Sequence, residues 1–224
     1  MPEKLVSVAV DGPVGAGKSS IARAAAQKLG FIYVDTGALY RAVGLYCRRS
    51  GADMSSHDDI AARLPEIRTE IRLIDGVQHI FLNGEDVSEE IRLPEISMAA
   101  SAVSAVPAVR AALLDMQRKL ARENNVIMDG RDIGTVVLPD AEVKIFLTAA
   151  PEIRAKRRYD ELCAKGVSAT FEEVLADLNK RDYDDSHRAV APLKQAEDAV
   201  LADTSGLDFE RSCELVCSII KEKL

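Results

Sequence analysis

"DGPVGAGKSS", residues Asp11–Ser20, decides how the rest of the chain is read. Within it Gly12, Pro13, Val14, Gly15, Ala16, Gly17, Lys18 and Ser19 satisfy the pattern G-x-x-x-x-G-K-[ST]. Glycines let the backbone curl so that successive N–H groups face one phosphate, and a following helix adds its positive end. In this reading Lys18 reaches the β- and γ-phosphates, the Ser19 hydroxyl ligates Mg²⁺, and Ser20 leads into the helix. Such a loop needs a strand before it and a helix after it, and both are legible. "LVSVAV" (Leu5–Val10) is an apolar, β-branched run long enough for one buried strand. "KSSIARAAAQKLG" reads as a helix closed by Gly30. The pattern implies a nucleoside triphosphate as phosphate donor.

Working outward, "FIYVD" is a second short strand and "TGALYRAVGLYCRRSG" a helix stopped by Gly51, so the chain opens as a βαβ unit. "EIRLIDGVQHIFLNG" then breaks the rhythm: two alternating runs around Asp75-Gly76 signal a hairpin. A hairpin is out of step with a βαβ repeat, so residues 63–100 read as a small inserted subdomain. A helix follows near Val109–Glu123, and "VIMDG" and "VKIFLTA" are two further strand cores. Pro151 opens the helix "EIRAKRRYDELCAKG"; "TFEEVLADLNKRDYDDSHR" is another, "DAVLADTSG" a last strand and "DFERSCELVCSIIKEKL" a closing helix. The expected fold class is α/β: a P-loop NTPase-type parallel sheet flanked by helices, within one domain over 1–224.

Composition narrows the classes further. A chain of 224 residues suits one α/β domain with an insert. Hydrophobic residues at 47% and charged residues at 29% belong to a globular chain rather than a disordered one. A net charge of −7 argues against a non-specific nucleic-acid binder, which carries a basic surface. Cys47, Cys163, Cys213 and Cys217 contain no C-x-x-C and read as buried or idle thiols, and His57, His79 and His187 as solvated side chains. With no signal peptide and no long apolar run, the expectation is a cytoplasmic protein with no membrane and no nucleic-acid partner. Helix faces that read as core plus solvent suggest a monomer.

The acceptor of the phosphate is written in scattered charges. Asp129 ends an apolar strand, where an acidic residue either holds Mg²⁺, often through water, or caps a turn. Arg154, Arg157 and Arg158 fall at i, i+3, i+4 on one helical face; Arg181, Asp185 and Arg188 fall at i, i+4, i+7, with the carboxylate between two guanidiniums. Arg41 follows a strand and turn, and Arg131 sits just past Asp129. Any one of these suits a solvated ion pair. Together, in an acidic chain, they point to a centre that binds two phosphates, because a guanidinium fork holds two oxygens at once and stays charged.

"DGPVGAGKSS", "VDTGALYRA", "LNGEDVSEEIR", "ASAVSAVPAVR", "MDGRDIGTVVLPDAEVKIFLTA" and "KRDYDDSHRAVAPLKQAEDAV" together resemble the bacterial cytidylate kinases, over essentially the whole chain. That family transfers the γ-phosphoryl group of ATP to CMP or dCMP, giving ADP and CDP or dCDP. The resemblance implies a core over 1–62 and 101–224, a nucleoside-monophosphate-binding insert over about 63–100 and a short helical lid over about 151–166. It implies that Gly12 through Ser20 hold ATP with Mg²⁺, and that Arg41 and Arg131 hold the acceptor phosphate. By the same resemblance Thr36, Arg110, Asp132 and Arg188 meet the cytosine and Ser101, Arg181 and Asp185 the sugar, while Arg154, Arg157 and Arg158 close from the lid. Thr36 stands where some members carry serine; the hydroxyl is kept.

The chemistry of the base agrees with that assignment. Cytosine offers an N4 amino donor beside acceptors at N3 and O2, so a carboxylate at Asp132 accepts from N4 and Arg110 donates to N3 or O2. Uracil places an O4 acceptor against the carboxylate, a mismatch worth about 1–3 kcal/mol, or ten- to hundredfold. Adenine mimics N4 and N3 through N6 and N1, and only pocket size rejects it. Two other readings stay open from the residues alone: a kinase of UMP, AMP or a small hydroxylated metabolite, and a nucleotide-dependent switch. The chain contains no guanine-reading N-K-x-D motif.

Overall fold

The computed structural model describes residues 5–74 and 77–224. The chain divides into two compact units: one made of the chain up to Tyr33 together with Asn124–Leu224, the other of Val34–Glu123.

The first unit is built on β1 (Ser7–Asp11), with β6 (Val126–Gly130) and β7 (Val143–Thr148) paired parallel on either side of it and β8 (Val200–Asp203) parallel beyond β7. Among the described residues the full strand order places β2 (Ile32–Asp35) next to β6, giving β2-β6-β1-β7-β8. Helices α1 (Lys18–Leu29), α6 (Pro151–Ala164), α7 (Phe171–His187) and α8 (Phe209–Lys223) complete the unit. A central strand of a parallel sheet is covered on both faces, which is why Val8, Ala9 and Val10 form an unbroken apolar run with no exposure. Ala22, Ala25 and Ala26 pack α1 into the same core, joined from α8 by Cys213, Val216, Cys217 and Ile220. The expected α/β sheet is present, its first strand shifted from Leu5–Val10 to Ser7–Asp11. Register does the rest: Val10 lies opposite Asp129 and Asp11 opposite Gly130, so the loops leaving β1 and β6 start side by side at the carboxyl ends of the strands.

The second unit comprises α2 (Thr36–Arg49), α3 (His57–Arg63), β3 (Thr69–Ile74), β4 (Val77–Leu82), β5 (Glu85–Asp86), α4 (Pro94–Ser104) and α5 (Pro107–Glu123). The hairpin read from the sequence pairs β3 with β4 antiparallel up to Ile74 opposite Val77; its Asp75-Gly76 turn lies outside the described residues. A second hairpin joins β4 to β5 through Asn83 (φ 50°) and Gly84 (φ 87°), the pair of left-handed residues that a two-residue turn requires. Helix α4 packs on α2 at Gly44, where a Cβ would stand 3.0 Å from the Ala99 carbonyl carbon, so glycine sets that crossing distance. Leu39, Val43, Ile60, Ile80, Leu82 and Ile91 fill the core of this unit.

Cys47, Cys213 and Cys217 are buried and Cys163 is exposed. No single helix among the described residues is long and apolar enough to cross a membrane.

Candidate active site

In the first unit the loop after β1 turns sharply at Gly12, whose φ is 151°. A Cβ there would lie 2.0 Å from the Leu147 carbonyl oxygen, so only glycine fits against the neighbouring strand. Gly17, at φ 86°, ends the loop and caps α1. Lys18 is 5% exposed, and its Nζ donates to the Pro13 carbonyl at 2.7 Å, folding the side chain back over the loop. Burial lowers the Lys18 pKa and the Arg131 charge lowers it further, against the pull of Asp129, Asp11 and Asp185. The Ser19 hydroxyl donates to Asp129 Oδ2 at 2.9 Å, and the Tyr33 hydroxyl to Asp129 Oδ1 at 2.9 Å. The two residues expected to serve a cation are thus in contact. A hydroxyl beside a buried carboxylate is a hard oxygen set of the kind Mg²⁺ takes together with phosphate oxygens and water.

Asp11 was not singled out from the sequence, yet it ties this loop to the chain leaving β6. Its carboxylate accepts from the backbone N–H groups of Ile133 and Gly134, each at 2.7 Å. Burial raises its pKa to about 6 even though both N–H groups favour the charged form. Those two bonds anchor a single π turn, Ile133–Val137, immediately after Arg131 and Asp132. The one signal in the sequence was a charged residue at the end of an apolar run.

Arg131 and Asp132 each meet a residue of the α7 region. Arg131 Nε donates to Asp185 Oδ2 at 2.7 Å, and Arg188 Nη2 to Asp132 Oδ1 at 3.4 Å. Burial opposes the Arg131 charge, but the carboxylates of Asp185, Asp129 and Asp182 together outweigh it and the pKa rises. The spacing places Asp185 on one helix face with Arg181 and Arg188; its carboxylate accepts from Arg131, and Arg188 also donates to the Ala191 carbonyl at 2.6 Å. Arg181 stands one turn before Asp185 on α7.

The three arginines of α6 share a helix but not a partner. Arg154, 4% exposed, donates to the carbonyls of Ala149 (2.8 Å) and Val14 (2.9 Å) and to Asp182 Oδ2 (2.6 Å). Asp182, another residue that the sequence reading passed over, also accepts from the Val14 N–H at 3.2 Å. Arg157 donates to the Thr204 carbonyl at 2.8 Å, and Arg158 to Glu161 at 2.7 Å. Arg157 and Arg158 border a cleft of about 440 Å³ that also takes in Gly15, Gly17, Leu207 and Phe209. The cleft joins the glycine loop to Leu207 and Phe209 at the start of α8, which carried no motif.

In the second unit Asp35 caps α2, its Oδ1 accepting from the Ala38 N–H at 3.0 Å. Thr36, 3% exposed, opens that helix. Arg41, one turn on, lies 3.7 Å from Asp35 Oδ2. Arg110 on α5 is 8% exposed; its guanidinium lies over the Tyr40 ring at 5.5 Å and donates to the Ser104 carbonyl at 3.4 Å. Ser101, three residues earlier on α4, accepts at its carbonyl from the Ser104 hydroxyl at 2.9 Å. Thus α2, α4 and α5 of this one unit carry Thr36, Arg41, Ser101 and Arg110.

Comparison with known proteins follows the same lines. A family model described as cytidylate kinase matches residues 8–222. The protein named cytidylate kinase in Caldicellulosiruptor bescii is 47% identical over 225 residues, covering 99% of this chain and 100% of its own length. Its namesake in a Geobacter species is 51% identical over 226 residues, covering 99% and 95%. The crystal structure of an uncharacterized protein from Eubacterium ventriosum aligns with a TM-score of 0.55 at 14% identity, over 98% of this chain and 99% of that one, a likeness of fold alone.

Proposed function

Because the chain belongs to the cytidylate kinase family, we propose that it divides one phosphoryl transfer between a main-chain donor loop and a side-chain set that reads cytosine. The enzyme is an ATP-dependent kinase: it transfers the γ-phosphoryl group to CMP or dCMP, giving ADP and CDP or dCDP. The observation that carries the base assignment is Asp132, which is 4% exposed and whose carboxylate is held by Arg188. A buried, fixed acceptor of this kind selects an amino donor and repels a carbonyl.

Transfer between two phosphates asks little covalent chemistry of the protein; it asks for in-line positioning and neutralised charge. The N–H groups of Gly12–Ser20 cradle the triphosphate and Lys18 leaves the Pro13 carbonyl for its β- and γ-oxygens. Ser19 and Asp129 would hold Mg²⁺, which would neutralise charge on those oxygens. Arg41 and Arg131 fix the acceptor phosphate. Thr36, Arg110, Asp132 and Arg188 are assigned to the cytosine, and Ser101, Arg181 and Asp185 to the sugar. For Arg131 and Arg154 binding is an exchange of anions, with phosphate oxygens replacing Asp185 and Asp182. A phosphate monoester is already largely ionised at pH 7, its second pKa being about 6, so no general base is needed.

Residues 63–100 serve as the acceptor-binding insert of a core over 1–62 and 101–224. The segment 151–166 serves as a lid that excludes water, since hydrolysis of ATP is the competing reaction. We take the enzyme to work in the cytoplasm as a monomer on small molecules. ADP formation with ATP and Mg²⁺, and separately CMP, dCMP, UMP, AMP or no acceptor, tests the reading. Strong preference for CMP and dCMP is expected. Equal use of UMP, or ADP release without acceptor, contradicts the acceptor site while leaving the donor loop standing.

A further inference from the structure

The stretch "EDVSEEIR", Glu85–Arg92, has no part in the chemistry above, yet its last residue ends on the capping residue of α2. Asp35 is 4% exposed, and all its polar groups are engaged. Oδ1 takes the Ala38 N–H at 3.0 Å. Oδ2 faces two guanidiniums, that of Arg92 at 3.0 Å and that of Arg41 at 3.7 Å. Gln78 on β4 grips the Asp35 backbone from both sides, accepting its N–H at 2.8 Å and donating to its carbonyl at 3.2 Å. Two residues from the 63–100 segment therefore hold the one residue from which Thr36 and Arg41 are hung.

Charge accounting gives this arrangement a purpose. One carboxylate and two guanidiniums leave a single positive charge at the start of α2. Arg92 makes the shorter bond, and Arg41 stands beyond hydrogen-bonding distance of the same oxygen. With Arg92 gone, Arg41 closes on a buried carboxylate and the surplus charge vanishes; an incoming phosphate then has to break a mostly buried ion pair. We propose that Arg92 is a positioning residue for the acceptor: by saturating Asp35 it keeps the guanidinium of Arg41 available to phosphate, while Gln78 holds Asp35 in register. The inference rests on Arg41 binding the acceptor phosphate.

The test is steady-state kinetics of the full chain, with KM for CMP, KM for ATP and kcat measured alongside thermal melting. Arg92→Met should raise KM for CMP about tenfold, the scale of one charge-assisted contact, with KM for ATP nearly unchanged. Adding Asp35→Asn should bring KM for CMP back to within about threefold of the parent, because asparagine still caps α2 but no longer captures Arg41. Arg92→Lys, which keeps the charge, should stay closer to the parent than Arg92→Met. A double variant as impaired as Arg92→Met, or an Arg92→Met that loses melting temperature without raising KM for CMP, overturns the proposal. Arg41→Met separates the two levels. If it raises KM for CMP and Arg92→Met does not, only this inference fails; if Arg41→Met changes nothing, the acceptor assignment of Arg41 falls with it.

Discussion

The loop Gly12–Ser19 is proposed to meet its ligand with main-chain N–H groups from consecutive residues, whereas the residues proposed for the acceptor are side chains scattered along the sequence from Thr36 to Arg188. The loop is shaped by what is missing: no Cβ fits at Gly12, and Gly15 and Gly17 take positive φ. The acceptor residues are shaped by what is present, since Arg131, Asp132, Asp185 and Arg188 stand in two reciprocal ion pairs and Arg41 shares Asp35 with Arg92. Backbone recognition is rigid and indifferent to most side chains. Side-chain recognition is adjustable, and here the charges stand in internal pairs that the proposed ligand would have to displace. The two regions should therefore fail differently when altered.

The largest effect is expected at Gly12. In Gly12→Ala the new methyl meets a backbone oxygen at 2.0 Å, which no rotamer change relieves. A loss of about 3 kcal/mol or more in stability is expected, read as a large drop in melting temperature, with turnover abolished. An alanine variant that melts normally would break the contrast at its root.

Lys18→Met should leave the fold intact while lowering kcat about a thousandfold, since the charge that neutralises the transferring oxygens is lost. Near-normal turnover in a folded variant removes Lys18 from the mechanism.

A subtler effect concerns protons. Burial lowers the Lys18 pKa from its ordinary 10.5 to about 7, and triphosphate at its Nζ favours the charged form. Between the lowered value and 10.5, ATP binding should therefore take up a proton and weaken as pH rises. Titration calorimetry at pH 8 in buffers of different ionisation enthalpy measures the uptake, which should vanish in Lys18→Met. Uptake that persists in the variant assigns the proton elsewhere.

The smallest change is expected at Asp182, which joins Arg154 to the Val14 N–H. Asp182→Asn removes the charge and turns one of the two accepting oxygens into a donor facing Arg154 or the Val14 N–H, so melting temperature should fall while KM for ATP moves by only about threefold. A change in KM for CMP of the same size would blur the division between the two regions.

The same contrast explains what was legible beforehand. An apolar run, a glycine loop and an alanine-striped helix are local patterns, and β1, the loop and α1 were readable from them. Helix α4, "PEISMAASAVS", and the short α3 were not anticipated, because small residues give little amphipathic contrast and α4 is defined by its packing at Gly44. Spacing on α6 and α7 placed arginines on helix faces, but it could not say which carboxylate each would meet. Arg131 and Asp185 are 54 positions apart, and Arg188 and Asp132 are 56 apart. Arg154 turns inward because Asp182 of α7 waits there, a fact of tertiary packing. Asp11 was hidden for the same reason: its partners are N–H groups more than a hundred residues away.

If a fixed carboxylate at Asp132 reads cytosine, the ratio of kcat/KM for CMP to that for UMP must depend on it, and that ratio is to be measured in the parent and in Asp132→Asn. The parent should favour CMP up to about a hundredfold. In Asp132→Asn the amide can donate to uracil O4, so the ratio should fall toward unity with KM for ATP unchanged. An unaltered ratio, or equal losses toward CMP and ATP, would contradict the account.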